Sequence, residues 1–176
     1  MPAIFQPYHM NRNRNNRGQG PLLPPERSGH CALRRRRVSL ANHAYLVSSA
    51  TIGRHRFFLD FHAGCAAARC FENRAFLGDA RMLAWVLMPD HAHWLVQLGE
   101  SDPLSLVVNR IKSASARYAN RALARKGALW EQAYHDHGLR KDEELRGVAR
   151  YMIANPLRAG LVQRIGDYPF WNAIWL

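Results

Sequence analysis

The stretch Trp85-Val86-Leu87-Met88-Pro89-Asp90-His91-Ala92-His93-Trp94-Leu95-Val96-Gln97-Leu98 decides the fold. Two apolar runs meet at a Pro-Asp pair, the composition of two strands joined by a tight turn. Alternation along the second strand puts His91 and His93 on one face and Ala92 on the other. Two imidazoles side by side can hold one divalent ion, because neutral imidazole is a common metal ligand. A bare His-x-His pair is also what two exposed strand-end histidines look like, so the pair gains meaning only with a partner.

Upstream, the residues from His43 to Thr51 have strand composition, and Gly53 follows as a turn. Phe57, Phe61, Cys65, Ala68 and Phe71 recur at helical spacing, which predicts one core-packing helix from Phe57 to Phe76, ended by Gly78-Asp79. Downstream, Asp102 and Pro103 read as the N-cap and first position of a long helix. Leu104, Val108, Ile111 and Tyr118 form its apolar stripe. Arg110, Arg117, Arg121 and Arg125, with Lys112 and Lys126 nearby, form a basic one, fit for a phosphate backbone or for plain solvation. Gly127 ends that helix, and Leu129 to His137 reads as a short extended segment. It carries a second histidine pair, His135 and His137, a rival metal site with no long apolar strand behind it.

Asp142-Glu143-Glu144 then opens another helix with charges that suit its dipole. Leu145, Val148 and Met152 face the core, and Pro156 ends or kinks the helix. The order β-α-β-β-α-β plus one helix predicts an α+β fold of the ferredoxin-like, RRM-like kind. Its antiparallel sheet carries helices on one face, and the C-terminal helix is the one placed to bear chemistry.

Residues 1–37 differ in composition from the rest. Asn11 to Gly18 is polar and repetitive, prolines follow, and Arg34 to Arg37 are four consecutive charges. Such a segment buries too little apolar surface to offset its ordering entropy, so a disordered basic arm is expected ahead of a single domain at 38–176. The whole chain has 176 residues, 48% of them hydrophobic, and a net charge of +12. That charge implies an anionic partner, nucleic acid first and an acidic membrane surface second. No apolar run approaches the ~20 residues that span a bilayer. The start lacks a secretory apolar region, so a cytoplasmic, nucleoid-associated protein is expected. Cys31, Cys65 and Cys70 have no Cys-x-x-Cys spacing and read as reduced thiols.

The partner for the histidines comes from Arg150-Tyr151-Met152-Ile153-Ala154-Asn155-Pro156-Leu157-Arg158-Ala159-Gly160-Leu161-Val162. Tyr151 and Asn155 are four apart and share a helix face. An amide oxygen suits a hard divalent ion, and a phenol beside that ion is a candidate oxygen nucleophile. Covalent catalysis by tyrosine splits a phosphodiester transfer into two reversible steps. Tyr134 is the main competitor for that role, Tyr118 reads as core, and Tyr45 and Tyr168 lack a polar context.

Met88 to Val96 resembles the HUH motif of the single-tyrosine transposases. Trp130 to His137, with Tyr151 to Val162, resembles the C-terminal half of the REP-associated tyrosine transposases. The resemblance covers residues 38 to 170 and leaves the arm outside. It implies that Tyr151 is the nucleophile, that His91 and His93 ligate a metal (Mg²⁺ or Mn²⁺), and that Asn155 completes the site. It implies cleavage of single-stranded or hairpin DNA through a 5′-phosphotyrosine that leaves a free 3′-hydroxyl, by a monomer or homodimer. Arg110, Lys112, Arg117, Arg121, Arg125 and Arg158 are the expected DNA contacts. The middle residue of the HUH motif is usually bulky and here is Ala92. Two other readings stay open: a DNA-binding protein of the same fold without turnover, and a water-using phosphoesterase that would survive loss of the Tyr151 hydroxyl.

Overall fold

The computed structural model describes residues 39–139 and 142–175, the side chains of 142–144 excepted. The basic arm lies outside the described residues. The elements are β1 (Ala44–Ala50), α1 (Phe61–Ala68), α2 (Arg74–Leu77), β2 (Arg81–Met88), β3 (His91–Gln97) and α3 (Leu104–Ala122). They continue with β4 (His135–Leu139), α4 (Asp142–Ile153), α5 (Asn155–Arg158) and β5 (Trp171–Ala173). All pairings are antiparallel, and the sheet order is β4-β1-β3-β2-β5. This is the expected α+β arrangement with one added edge strand.

The turn at Pro89 and Asp90 sets the register of β2 against β3, pairing Met88 with His91 and Val86 with His93. Period-2 alternation then assigns the two faces of the sheet. Ala92, Trp94 and Val96 point to a core shared with Val47, Trp85, Leu87 and the helices α1 to α3. Leu95, Ala84, Val86 and Met88 point to the other side, where Leu145, Ala149, Met152 and Ile153 of α4 cover them. The helices α1 to α3 thus lie on one face, and α4, with α5 after it, covers the opposite one. A register shift between Met82 and Ala84 lets Leu83 join the α4 side as well.

Several local expectations change. The helix foreseen from Phe57 to Phe76 is broken, because Asp60 and Asn73 each cap a new start. Asp60 accepts from the Ala63 N–H at 2.8 Å and Asn73 from the Ala75 N–H at 2.9 Å. Asp102 is not the cap of α3. Pro103 takes that position, and the Asp102 carboxylate accepts from Arg110 at 2.5 Å instead. The buried stripe of α3 continues through Ser115 and Ala119, so Tyr118 stays 44% exposed rather than entering the core. The helix also stops at Ala122, before Gly127. There Asn120 folds the chain back, accepting from Arg125 and donating to the Gly127 carbonyl.

The aromatic tail contributes β5, which no alternation in so short a run announces. Leu87 N–H donates to the Phe170 carbonyl at 2.9 Å, and the Tyr168 hydroxyl donates to the Leu87 carbonyl at 2.6 Å. Phe170 lies against the backbone of α1 at Gly64, where any side chain would run into its ring.

Candidate active site

The site is built where β3 leaves its turn. Thr51 N–H donates to the Asp90 carbonyl at 2.9 Å and Phe58 N–H to the Pro89 carbonyl at 3.0 Å, which fastens the turn to the chain after β1. The Asp90 carboxylate sits 2.6 Å from His91 Nδ1, and Arg54 adds a weaker contact at 3.4 Å. The hydrogen bond with His91 holds the Asp90 carboxyl below its usual range, against the opposing effect of partial burial. His93 Nδ1 lies 2.6 Å from Ser48 Oγ, its register partner on β1.

Each imidazole is therefore anchored through Nδ1. In the tautomer that donates from Nδ1 to Asp90 or Ser48, each leaves Nε2 with a lone pair for a ligand. The two ring centroids are 5.0 Å apart and nearly perpendicular. His93 is almost fully buried, and its pKa is pushed down to about 3, first by burial, then by the charges of His91, Arg158 and Arg54. It is neutral at working pH, the state a metal ligand requires. Ala92 faces the opposite core at 0% exposure, and its small size is absorbed there by the neighbouring aromatics.

Above this pair runs α4. Ala149, Met152 and Ile153 anchor it to the sheet, while Tyr151 between them is 58% exposed. A tyrosine packed against the sheet is thus excluded. Arg158, presented by α5 after buried Pro156, places its guanidinium 3.9 Å from the Tyr151 ring centroid. It also donates to the Tyr151 carbonyl at 2.7 Å and to the Asn155 side-chain oxygen. The charge of Arg158 is also among those that lower the pKa of His93.

Two imidazole nitrogens fit a divalent ion. Asn155 supplies an oxygen of the right kind, now shared with Arg158. Among the described residues no three His, Cys, Asp or Glu side chains gather around a possible ion. The residues that could hold such an ion are His91 and His93, and the Asn155 amide is engaged by Arg158.

The rival groups fall elsewhere. Tyr134 packs against the core on the α3 side of the sheet. Tyr168 donates its hydroxyl to Leu87, and burial, with Asp90 second, lifts its pKa to about 12. The Tyr45 hydroxyl accepts from the Leu40 N–H at 2.8 Å. His135 and His137 stand exposed on the edge strand β4.

The expected basic stripe is partly engaged within the fold. Lys112 is buried, four residues from Val108 in the apolar stripe, and its ammonium donates to the Glu131 and Gln132 carbonyls at 2.6 and 3.2 Å. Arg110 is paired with Asp102, and Arg125 lies over the Phe57 ring. Arg117 lies over Tyr118, and both it and Arg121 are exposed on α3. All five belong to the side of the sheet opposite Tyr151. Asp90, Ser48 and Arg54 were not singled out from the sequence. An acid directly before the first histidine was the available signal for Asp90, whereas Ser48 emerges only from strand register.

The chain belongs to the IS200-like transposase family, whose sequence profile matches residues 50–155 and so includes His91, His93, Tyr151 and Asn155 but not Arg158. The REP-associated tyrosine transposase of Escherichia coli K12 is 28% identical over 89 residues, 49% of this chain and 50% of that one. A Haemophilus influenzae Rd chain assigned to the same group is 28% identical over 98 residues, 50% of this chain and 56% of that one. This chain thus spans about half the length of the curated relatives it matches. The solved structure of a REP-associated tyrosine transposase bound to a REP hairpin superposes with a TM-score of 0.61 at 22% identity. That match covers 77% of this chain and 79% of the other, and at such identity it establishes the fold. No helix among the described residues is long and apolar enough to cross a membrane.

Proposed function

We propose that this chain cleaves and transfers single-stranded DNA beside a hairpin, with Tyr151 as the nucleophile. The observation that carries this reading is an exposed Tyr151 with the Arg158 guanidinium over its ring, on the same face of the sheet as two histidines each anchored through Nδ1. Family membership supports it, as does the hairpin bound by the structural relative.

Tyr151 Oη attacks the scissile phosphorus, the P–Oη bond forms and the P–O3′ bond breaks. The phenol proton leaves to solvent, and O3′ takes up a proton to become the free 3′-hydroxyl. The 5′ end remains on the enzyme as a phosphotyrosine, and attack by a 3′-hydroxyl reverses the step. Arg158, released from Asn155 by an incoming phosphate, can bind the non-bridging oxygens that gain charge during attack. Asp90 and Ser48 fix the two imidazoles so that little reorganisation is needed. A divalent ion (Mg²⁺ or Mn²⁺) held by His91, His93 and Asn155 would polarise a phosphate oxygen, with imidazole ligands favouring Mn²⁺.

One feature favours a second reading, a binding protein without turnover: the oxygen of Asn155 is engaged by Arg158. The deciding experiment mixes the protein with labelled hairpin DNA carrying single-stranded flanks and Mn²⁺, then resolves the products on a denaturing gel beside Tyr151→Phe. A covalent protein–DNA band that vanishes in the variant is expected. Cleavage without an adduct, unchanged in the variant, would replace the transferase with a hydrolase. Binding alone would leave the second reading.

A further inference from the structure

The helix α4 has another exposed face one turn away from Tyr151, and it borders β5. Arg146, Ala149, Arg150, Ala173 and Trp175 line a cleft of about 330 Å³ there. Ala149 and Ala173 are buried and form its floor, where their small side chains leave the space open. Trp175 is half-buried and contributes an indole wall. Arg146 and Arg150 are four residues apart, so both guanidiniums stand on the same flank of the helix. Neither guanidinium has an ion-pair or hydrogen-bond partner among the described residues, in contrast to those of Arg54, Arg110 and Arg158.

Two guanidiniums beside an aromatic wall do not suit an apolar ligand, which would leave both charges desolvated. They suit an anion attached to a flat ring. From Arg146 to Arg150 the helix rises ~6 Å, and the next residue is Tyr151 itself. A strand lying along these arginines is therefore led to the candidate nucleophile.

We infer that the cleft seats a nucleotide of the single strand flanking the scissile phosphate, with Arg146 and Arg150 on its phosphates and its base stacked on Trp175. This rests on the DNA reading of the Tyr151 site and adds to it a point of contact outside β3, the strand that bears His91 and His93. The cleft is sequence-tolerant by construction, since guanidinium and indole recognise features common to all nucleotides.

The test measures binding of a fluorescein-labelled hairpin, with and without its single-stranded flank, across a salt series. The variants are Arg146→Ala/Arg150→Ala, Trp175→Ala and Trp175→Phe, with thermal melting as a control for folding. For the flanked hairpin, loss of both arginines should flatten the slope of log affinity against log salt by about 1.4, the worth of two single-strand phosphate contacts. Trp175→Ala should weaken binding roughly 5- to 150-fold, the range of one lost base stack, and Trp175→Phe should keep most of it. Removing the flank should erase these differences. Should Trp175→Ala fail to fold, 5-iodouracil placed along the flank of wild-type complexes replaces it, with a cross-link to Trp175 expected from one region only. If wild type binds the flanked hairpin but the arginine variant shows the same affinity and slope, or the cross-link falls elsewhere, the cleft is overturned and the Tyr151 site stands. If wild type binds no DNA at all, the underlying reading fails with it.

Discussion

The two faces of the sheet are built from the same alternating strands and have opposite characters. Under α3 lies a dry aromatic layer in which Phe71 meets Trp85 and Trp94 edge-on at 5.3 Å, and Trp130 bridges Trp94 and Phe58. Even its charged member, Lys112, is spent on backbone carbonyls. Under α4 the layer is apolar only towards the middle of the sheet. At the hairpin end it gives way to His91, His93, Ser48 and Asp90, with Tyr151 and Arg158 above. One face holds the protein together, and the other uses that rigidity to keep polar groups in place. A site on strands backed by a close-packed layer is held more firmly than one on loops.

The comparison can be broken in four ways, taken in order of expected effect. Trp94→Ala removes a side chain with 0% exposure from the dry face. It should cost about 3–5 kcal/mol in urea unfolding, as such truncations do. A loss below about 1 kcal/mol would deny that this face carries the stability. Next comes protonation on the other face, in metal-free protein. The unfolded His93 imidazole titrates near 6.5 and the folded one only near 3. Between those values the unfolded chain binds more protons, so stability is full above pH 6.5 and falls by about 1.4 kcal/mol per pH unit below it. Urea titrations at pH 7 and 4.5 should show this fall, and His93→Gln should shed that part of it. An identical pH dependence in the variant would mean that His93 is not buried neutral.

Asp90→Asn should leave the fold intact while weakening Mn²⁺ binding about 10- to 100-fold, the usual cost of losing an orienting carboxylate behind a histidine ligand. Calorimetry reads this directly, and an unchanged affinity would sever Asp90 from the site. Smallest of all, Arg121→Ala on α3 should alter stability by less than about 0.5 kcal/mol and leave hairpin binding within twofold. A large loss of DNA affinity would restore α3 as a phosphate-binding surface and dissolve the division between the faces.

How much of this could be read from residues alone varied with how local the determinant is. The β2–β3 hairpin was legible because a two-residue turn and strand alternation settle each other within one short window. The four-residue spacing of Tyr151 and Asn155 predicts one shared helix face, but α4 ends at Ile153 and Asn155 opens α5, with Pro156 at its start. Lys112 was misread as solvent-facing although it lies four residues after Val108, in the same stripe as Leu104. A lysine there is tolerated only because two carbonyls from a distant loop receive it. Ser48 and Arg158 needed the third dimension, since one depends on β1–β3 register and the other on the bend at Pro156. The strand β5 depends on Phe170 finding Gly64 and on Leu87 offering its backbone, neither of which three residues can announce.

That last strand has a consequence for how the chain behaves in company. From Met82 to Met88, β2 is an uninterrupted run of apolar residues, every one buried in the folded domain. Without β5 its outer row of amides and carbonyls would be a free sheet edge, flat and sticky, of the kind that recruits other chains into cross-β stacks. Three residues at Trp171–Ala173, pinned by Tyr168 and Phe170, act as its selvedge. A chain cut after Asp167 would keep every residue proposed for catalysis, yet it should precipitate from solution before showing any activity.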